Sequence, residues 1–177
     1  MKILDKNFEK SIPEADILNA VRRVAERITA DYADKNPVFV VVLNGAFVFA
    51  ADLLRMIDFP CELAFTKLES YDGLSSSGKI TVELPISSDV SGRHVVIVED
   101  IVDTGYSMKY LTESIATMRP ASIEVCALFC KPENLMVQGL DVKYTGMSLP
   151  EAFIVGYGLD YNQQGRLLRD IYSLKEE

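Results

Sequence analysis

Two adjacent acids, Glu99 and Asp100, follow the apolar run Val95–Val98, and a third, Asp103, heads the stretch Asp103-Thr104-Gly105-Tyr106-Ser107. The acids and the stretch make opposite demands. Gly105 permits a tight turn, Thr104 and Ser107 offer hydroxyls, and free backbone N–H groups at a following helix start can cradle a phosphate. A carboxylate repels a phosphate, so Glu99 and Asp100 are expected to meet a different part of the same ligand. They can accept hydrogen bonds from hydroxyls or hold a hard cation through oxygen. A ligand with a phosphate at one end and a diol at the other satisfies both demands. That describes a sugar phosphate, with Mg2+ as its natural companion. The stretch is not a Walker A loop, because the spaced Gly-Lys-Ser/Thr is missing. A plainer reading makes Asp103 or Thr104 a helix cap, and Glu99 and Asp100 a solvated strand end. The second of these accounts for the acids but not for their place between a buried strand and a phosphate turn.

Such groups need rigid elements to hold them. Pro37–Leu43 reads as a buried strand ended by Asn44-Gly45, and so do His94–Val98 and Ser122–Cys130. Cys61–Leu68 and Phe153–Gly156 are further strands, and Ile80–Leu84 alternates weakly, as an antiparallel return would. Ser11-Ile12-Pro13-Glu14 has a capping-box pattern with Pro in the first turn. Ile17, Leu18, Val21, Val24, Ala25 and Ile28 then recur at helical spacing. Helices are also expected over Ala46–Ile57 and Ser107–Met118. Ser70 to Gly78, rich in Gly and Ser, reads as a mobile loop. Strands apolar on both faces and separated by helices indicate an α/β fold, with a mostly parallel sheet covered on both sides. In such sheets ligands sit beyond the carboxyl ends of the strands, where Asn44-Gly45, Glu99-Asp100 and Lys131 all fall.

Composition narrows the classes. A chain of 177 residues suits a single domain, and 49% hydrophobic with 25% charged residues is ordinary for a globular protein. A net charge of −8 without a basic cluster argues against nucleic-acid binding. Cys61, Cys126 and Cys130 are an odd number and read as reduced thiols of a cytoplasmic protein. His94 is the sole histidine, which disfavours a His-based zinc site or a Ser-His-Asp triad. Neither a signal peptide nor an apolar run long enough for a membrane span is visible, so no membrane partner is expected.

Glu99-Asp100-Ile101-Val102-Asp103-Thr104-Gly105 resembles the phosphoribosyl-pyrophosphate (PRPP) signature of the type I phosphoribosyltransferases. The rest of the chain, from about residue 3 to residue 172, resembles their hypoxanthine (hypoxanthine-guanine) branch. Leu43-Asn44-Gly45 looks like that branch's first loop, and Ser70-Tyr71 like its flexible hood loop. Lys131 is similar to its purine-contacting lysine. Phe153-Ile154-Val155-Gly156-Tyr157-Gly158-Leu159-Asp160-Tyr161-Asn162 resembles its base-binding segment, and Arg166 its pyrophosphate-facing arginine. One position departs: Asn44 stands where the family commonly has Lys or Arg, often after a cis peptide bond.

The resemblance implies a type I phosphoribosyltransferase fold over residues 1–177, with a small hood built from the N- and C-terminal segments. It implies transfer of a phosphoribosyl group from PRPP to a 6-oxopurine, with Mg2+ as cofactor. Asp103 would be the general base at N7 of the purine. Leu43, Asn44, Gly45, Thr104, Gly105, Tyr106, Ser107 and Arg166 would contact PRPP. Glu99 and Asp100 would hold the ribose and, with Asp160, the metal. Lys131, Phe153, Ile154 and Asp160 would bind the base, while Tyr157 and Tyr161 would only pack. An ammonium donates hydrogen bonds and so suits a 6-oxo group rather than the 6-amino group of adenine. Taken alone, Lys131 reads as a surface lysine and Phe153 as core. A homodimer or homotetramer is implied, and the apolar stripe of Ala46–Ile57 is either its interface or core. Two rivals remain: a non-catalytic PRPP-sensing regulator, which the acidic charge disfavours, and an enzyme for another base.

Overall fold

A computed structural model describes residues 1–70 and 80–175. Its centre is a six-stranded sheet in the order β5-β4-β3-β6-β7-β8. The strands are β3 (Val38–Leu43), β4 (Glu62–Ser70), β5 (Ile80–Leu84), β6 (His94–Val102), β7 (Ser122–Cys130) and β8 (Tyr144–Ser148). All neighbours run parallel except β4 and β5. Strands β3 and β6 are buried over nearly their whole length, and β7 from Val125 onward, because both faces are covered.

Helices α1 (Glu14–Tyr32) and α2 (Phe47–Arg55) cover one face, packing Ile17, Val21, Val24, Ile28, Phe49 and Leu53 onto Phe39, Val41, Val96 and Val98. Helix α3 (Tyr106–Ala116) covers the other, packing Met108, Leu111 and Ile115 onto Val38, Val40, Val95 and Ile97. The stripe on α2 is thus largely core, while its Phe47 stays exposed, as do Leu63 and Phe65 of β4. No described helix is long and apolar enough to cross a membrane.

Beyond this core lies a four-stranded antiparallel sheet in the order β1-β2-β10-β9, made from both ends of the chain. Its strands are β1 (Lys2–Ile3), β2 (Lys6–Ile12), β9 (Ile154–Val155) and β10 (Ile171–Leu174). Phe8, Ile3 and Val155 form its own small core.

Several expectations need correction. Phe153–Gly156 contributes only the short β9, and to the small sheet rather than the large one. Strand β6 does not stop at Val98 but runs on to Val102, carrying the acid pair inside the sheet. The capping box is absent, since Pro13 is the N-cap and provides no side-chain cap. The Ser11 hydroxyl instead donates to the Ile171 carbonyl, and Asp170 accepts the Glu14 N–H at 2.8 Å. A carboxylate from the far end of the chain thereby satisfies a first-turn donor of α1. Past Ser70, which closes β4, the expected loop through Tyr71 to Gly78 lies outside the described residues.

Candidate active site

The carboxyl ends of β3, β6 and β7 bring the candidate residues together. Glu99 and Asp100 are each only 8% exposed, so they are not a solvated strand end. Glu99 accepts the Asp100 N–H at 3.0 Å, and Asp100 Oδ1 accepts the Ile101 N–H at 2.7 Å. Burial, then the neighbouring Asp100 charge, holds the Glu99 carboxyl well above the usual carboxylate range. Burial also raises Asp100, while hydrogen bonding and the Arg166 guanidinium pull it partly back. Two carboxylates crowded together out of water are poised for a cation or for hydrogen-bond donors.

The β3 loop closes on this pair. The peptide bond between Leu43 and Asn44 is cis. A methyl group on Gly45 would lie 1.7 Å from Asp100 Oδ2, so only glycine lets the loop lie against that carboxylate. The Gly45 carbonyl packs against Gly158 in turn, and the Gly158 carbonyl accepts from Arg166 Nη1 at 2.9 Å. Arg166 Nη2 also pairs with Asp160 Oδ1 at 2.8 Å, while Asp160 Oδ2 accepts the Gln163 N–H at 2.7 Å. Arg166 is therefore joined to the first loop and faces the acid pair, and both oxygens of Asp160 are engaged within its own turn.

The turn after β6 is not capped by Asp103 or Thr104. Gly105 is the N-cap of α3, with φ +85°, and makes no side-chain cap. Left-handed backbone at this position favours glycine. Among the described residues, no acceptor pairs with the backbone N–H groups of Thr104 through Met108. These donors border a cavity of about 160 Å3 lined by Glu99, Asp100, Asp103, Thr104, Gly105 and Ser107. Acids stand at one end and helix N–H groups at the other, the polarity that a sugar phosphate requires.

A second cavity, of about 540 Å3, opens on the other side of Asp103 and Thr104. Lys131, Asn134, Met136, Glu151 and Phe153 line it too, and its size suits a small-molecule site. Lys131 is only 7% exposed, which excludes the surface reading, and its Nζ lies 2.7 Å from Asp103 Oδ2. Asn134, which the sequence reading passes over, donates from Nδ2 to Asp103 Oδ1 at 3.0 Å. Only its place three residues after Lys131 hinted at it. Burial raises the Asp103 carboxyl, but the hydrogen bonds from Lys131 and Asn134 and the ammonium charge outweigh that, and the net shift is downward.

Phe153 is 45% exposed rather than core, with Tyr161 edge-on at 5.8 Å and Lys6 5.7 Å from its ring centre. Ile154 is buried in β9 behind it. Tyr157 does more than pack, because its hydroxyl donates to Asp52 of α2 at 2.5 Å and ties the Gly156–Gly158 turn to the core. A larger open groove of about 830 Å3 beside Arg22, Glu26 and Asp58 contains none of these groups and is lined by α1 and the residues that follow α2.

A model of the phosphoribosyl transferase domain matches residues 13–162. The chain is 38% identical to a hypoxanthine-guanine phosphoribosyltransferase of Streptococcus pneumoniae, covering 99% of this chain and 98% of that protein. The solved structure of a hypoxanthine-guanine phosphoribosyltransferase from Bacillus anthracis superposes with a TM-score of 0.89 at 32% identity, covering 97% of this chain and 99% of that one. A hypoxanthine phosphoribosyl transferase from Trypanosoma cruzi superposes with a TM-score of 0.88 at 35% identity, covering 99% of this chain and 95% of that one.

Proposed function

The chain belongs to the phosphoribosyltransferase family, and from that premise we propose that it salvages purines, moving the 5-phosphoribosyl group of PRPP onto N9 of hypoxanthine or guanine. The observation that carries this reading is the position of Asp103. It stands between a cavity suited to a sugar phosphate and one lined by a buried lysine and an exposed aromatic face.

In the reaction the C1′–O bond to pyrophosphate breaks and N9 of the base bonds to C1′. The proton on N7 passes to Asp103, acting as general base. An oxocarbenium-like ribose carries positive charge as the old bond breaks. Glu99 and Asp100, beside the ribose hydroxyls, orient the ring and favour that charge. The N–H groups of Thr104, Gly105, Tyr106 and Ser107 receive the 5′-phosphate. Leu43, Asn44, Gly45 and Arg166 meet the pyrophosphate. Asn44 contributes an amide where the family commonly places a cation.

Lys131 has three N–H donors, so it can hold Asp103 and still donate to a 6-oxo group. The 6-amino group of adenine would put a donor against a buried cation, a mismatch of several kcal/mol. Phe153 stacks on the base, and main-chain groups near Ile154 and Asp160 read its C2 substituent.

The donor set fits Mg2+. This ion takes one or two carboxylates and completes its shell with water and phosphate oxygens, and the pair Glu99 and Asp100 offers that. These two residues, with Asp160 through water, would hold the metal, which neutralises charge on the leaving pyrophosphate when bound. We assign the enzyme to the cytoplasm, acting on small molecules rather than on nucleic acid or membranes. It assembles as a homodimer or homotetramer through the exposed Phe47, Leu63 and Phe65.

Steady-state assays with PRPP, Mg2+ and a panel of hypoxanthine, guanine, xanthine and adenine test the reading. Turnover of the first two with adenine rejected is expected. PRPP binding without turnover of any base would favour a non-catalytic sensor.

A further inference from the structure

We propose that Asn134 is a positioning residue for proton transfer, its amide fixing one oxygen of Asp103 so that the other faces the purine beside Lys131. This inference rests on the reading of Asp103 as the base.

Asn134 ends a 3-10 turn, Pro132–Asn134, that follows β7. Its Nδ2 donates to Asp103 Oδ1 at 3.0 Å while Lys131 Nζ holds Oδ2 at 2.7 Å. The carboxylate is thus gripped at both ends and cannot rotate about its Cβ–Cγ bond without losing a partner. Four lone-pair sites are available on a carboxylate, and these contacts use two, which leaves room for a purine N–H.

The segment carrying Asn134 is itself anchored to the phosphate turn. The Met136 N–H donates to the Thr104 carbonyl at 3.0 Å. Leu135, Val137 and Leu140 close so tightly on Gly105 that a Cβ there would meet Val137 Cγ2 at 2.6 Å. Asn134 is therefore carried by a segment anchored to the turn that receives the phosphate.

The amide has an electrostatic consequence as well. Among the described residues, the ionisable groups that share a cavity with Asp103 are Lys131 after β7, Glu133 on the 3-10 turn and Glu151 before β9, with Glu99 and Asp100 on the strand that precedes it. Burial favours a protonated Asp103. Donation from Lys131 and then from Asn134, with the Lys131 charge, outweighs burial, and the carboxyl lies below its ordinary range. A base must be ionised before it can accept a proton.

The test compares wild type, Asn134→Leu, Asn134→Asp and Asp103→Asn in nucleotide formation from hypoxanthine, PRPP and Mg2+ across roughly pH 5 to 9, where a general base is read from the acid limb of the rate profile. Asn134→Leu removes the donor, and a base displaced on the ångström scale is expected to lower kcat about tenfold or more with KM for PRPP held within about twofold. Asn134→Asp keeps the shape but sets two carboxylates side by side, so that one holds its proton to higher pH. An acid limb that wild type lacks should then enter the measured range. A merely structural role would lower the melting temperature without creating that limb.

Should Asn134→Leu fail to fold, the near-isosteric Asn134→Asp carries the same readout. Wild-type profiles in both Asn134 variants, with Asp103→Asn depressed, would overturn the inference and leave the base assignment standing. Wild-type turnover in Asp103→Asn would overturn both.

Discussion

Gly45→Ala is the smallest change that asks whether the β3 loop and the acid pair form one working unit. Its Cβ would start 1.7 Å from Asp100 Oδ2 and 2.6 Å from Asp100 Cγ, whereas real Cβ contacts stay beyond 3.0 Å. Going from 1.7 to 3.0 Å requires a displacement of about 1.3 Å, of either the loop or the carboxylate. The loop has little room, because the Gly45 carbonyl already packs on Gly158. The carboxylate is buried and tied to the Ile101 N–H at 2.7 Å. Overpacking of this kind costs about 1–3 kcal/mol, which lowers the melting temperature by a few degrees in a chain of this size. If Asp100 orients the reacting ring as proposed, a shift on the ångström scale costs on the order of 10²-fold in kcat. Steady-state nucleotide formation with PRPP varied, alongside calorimetric melting, measures both. A variant within twofold of wild type in kcat would refute the reasoning, whether or not it melted earlier, because Asp100 could then be displaced without consequence.

Other outcomes follow from the same geometry. Lys131→Ala should raise KM for hypoxanthine and narrow the preference over adenine, since a buried donor is lost; an unchanged base panel would show that Lys131 serves only Asp103. Asn44→Lys should tighten pyrophosphate inhibition by about 1 kcal/mol, or fivefold, if a partly screened cation meets the leaving group; an unchanged inhibition constant at fixed Mg2+ would place the side chain elsewhere. Asp170→Asn addresses pH. Donation from Lys10, then from the Glu14 N–H, holds Asp170 below its ordinary value of 3.8 in the folded chain. A depressed acid stabilises the fold above its unfolded pKa, and that contribution disappears as pH falls through the folded one. The melting-temperature gap between wild type and Asp170→Asn should therefore be present at neutral pH and close below the ordinary value; a gap unchanged in acid would contradict the assignment.

What could be read from sequence was what lies close together along the chain. The run from Val95 to Ser107 contains a strand, an acid pair and an anion turn in consecutive residues, so its chemistry was legible without tertiary information. Strand β6 extends past the expected end at Val98 because its acids are buried, whereas charge ordinarily marks exposure. Glu99 and Asp100 are buried against that local rule, and such violations are expected where function outweighs stability. Pairings across long separations left no local trace. Asp170 supports the start of α1 from 156 residues away, and Tyr157 reaches Asp52 across 105. Strand β2 leaves no periodic signal because, within Lys6–Ile12, Phe8 alone is buried. Asn134 belongs to the same class: an ordinary residue in an ordinary turn until folding sets it against Asp103.

The two sheets are completed at different points of synthesis. By Ser148 every strand of the large sheet has been made, and with it the acid pair and the phosphate turn. Strand β2 has been made long before, yet its partner β10 consists of Ile171–Leu174, and Ser11 finds Ile171 only across 160 residues. Contacts so distant in sequence form slowly. On the ribosome, then, the N-terminal strand keeps an open edge through most of translation, and such edges invite pairing with other chains. Phe153 lies on the segment whose backing strand arrives last, its carbonyl accepting the Leu174 N–H. A nascent chain thus has the turn after β6 and Lys131 before it has a backed Phe153 ring. An interrupted chain would keep the first and lack the second.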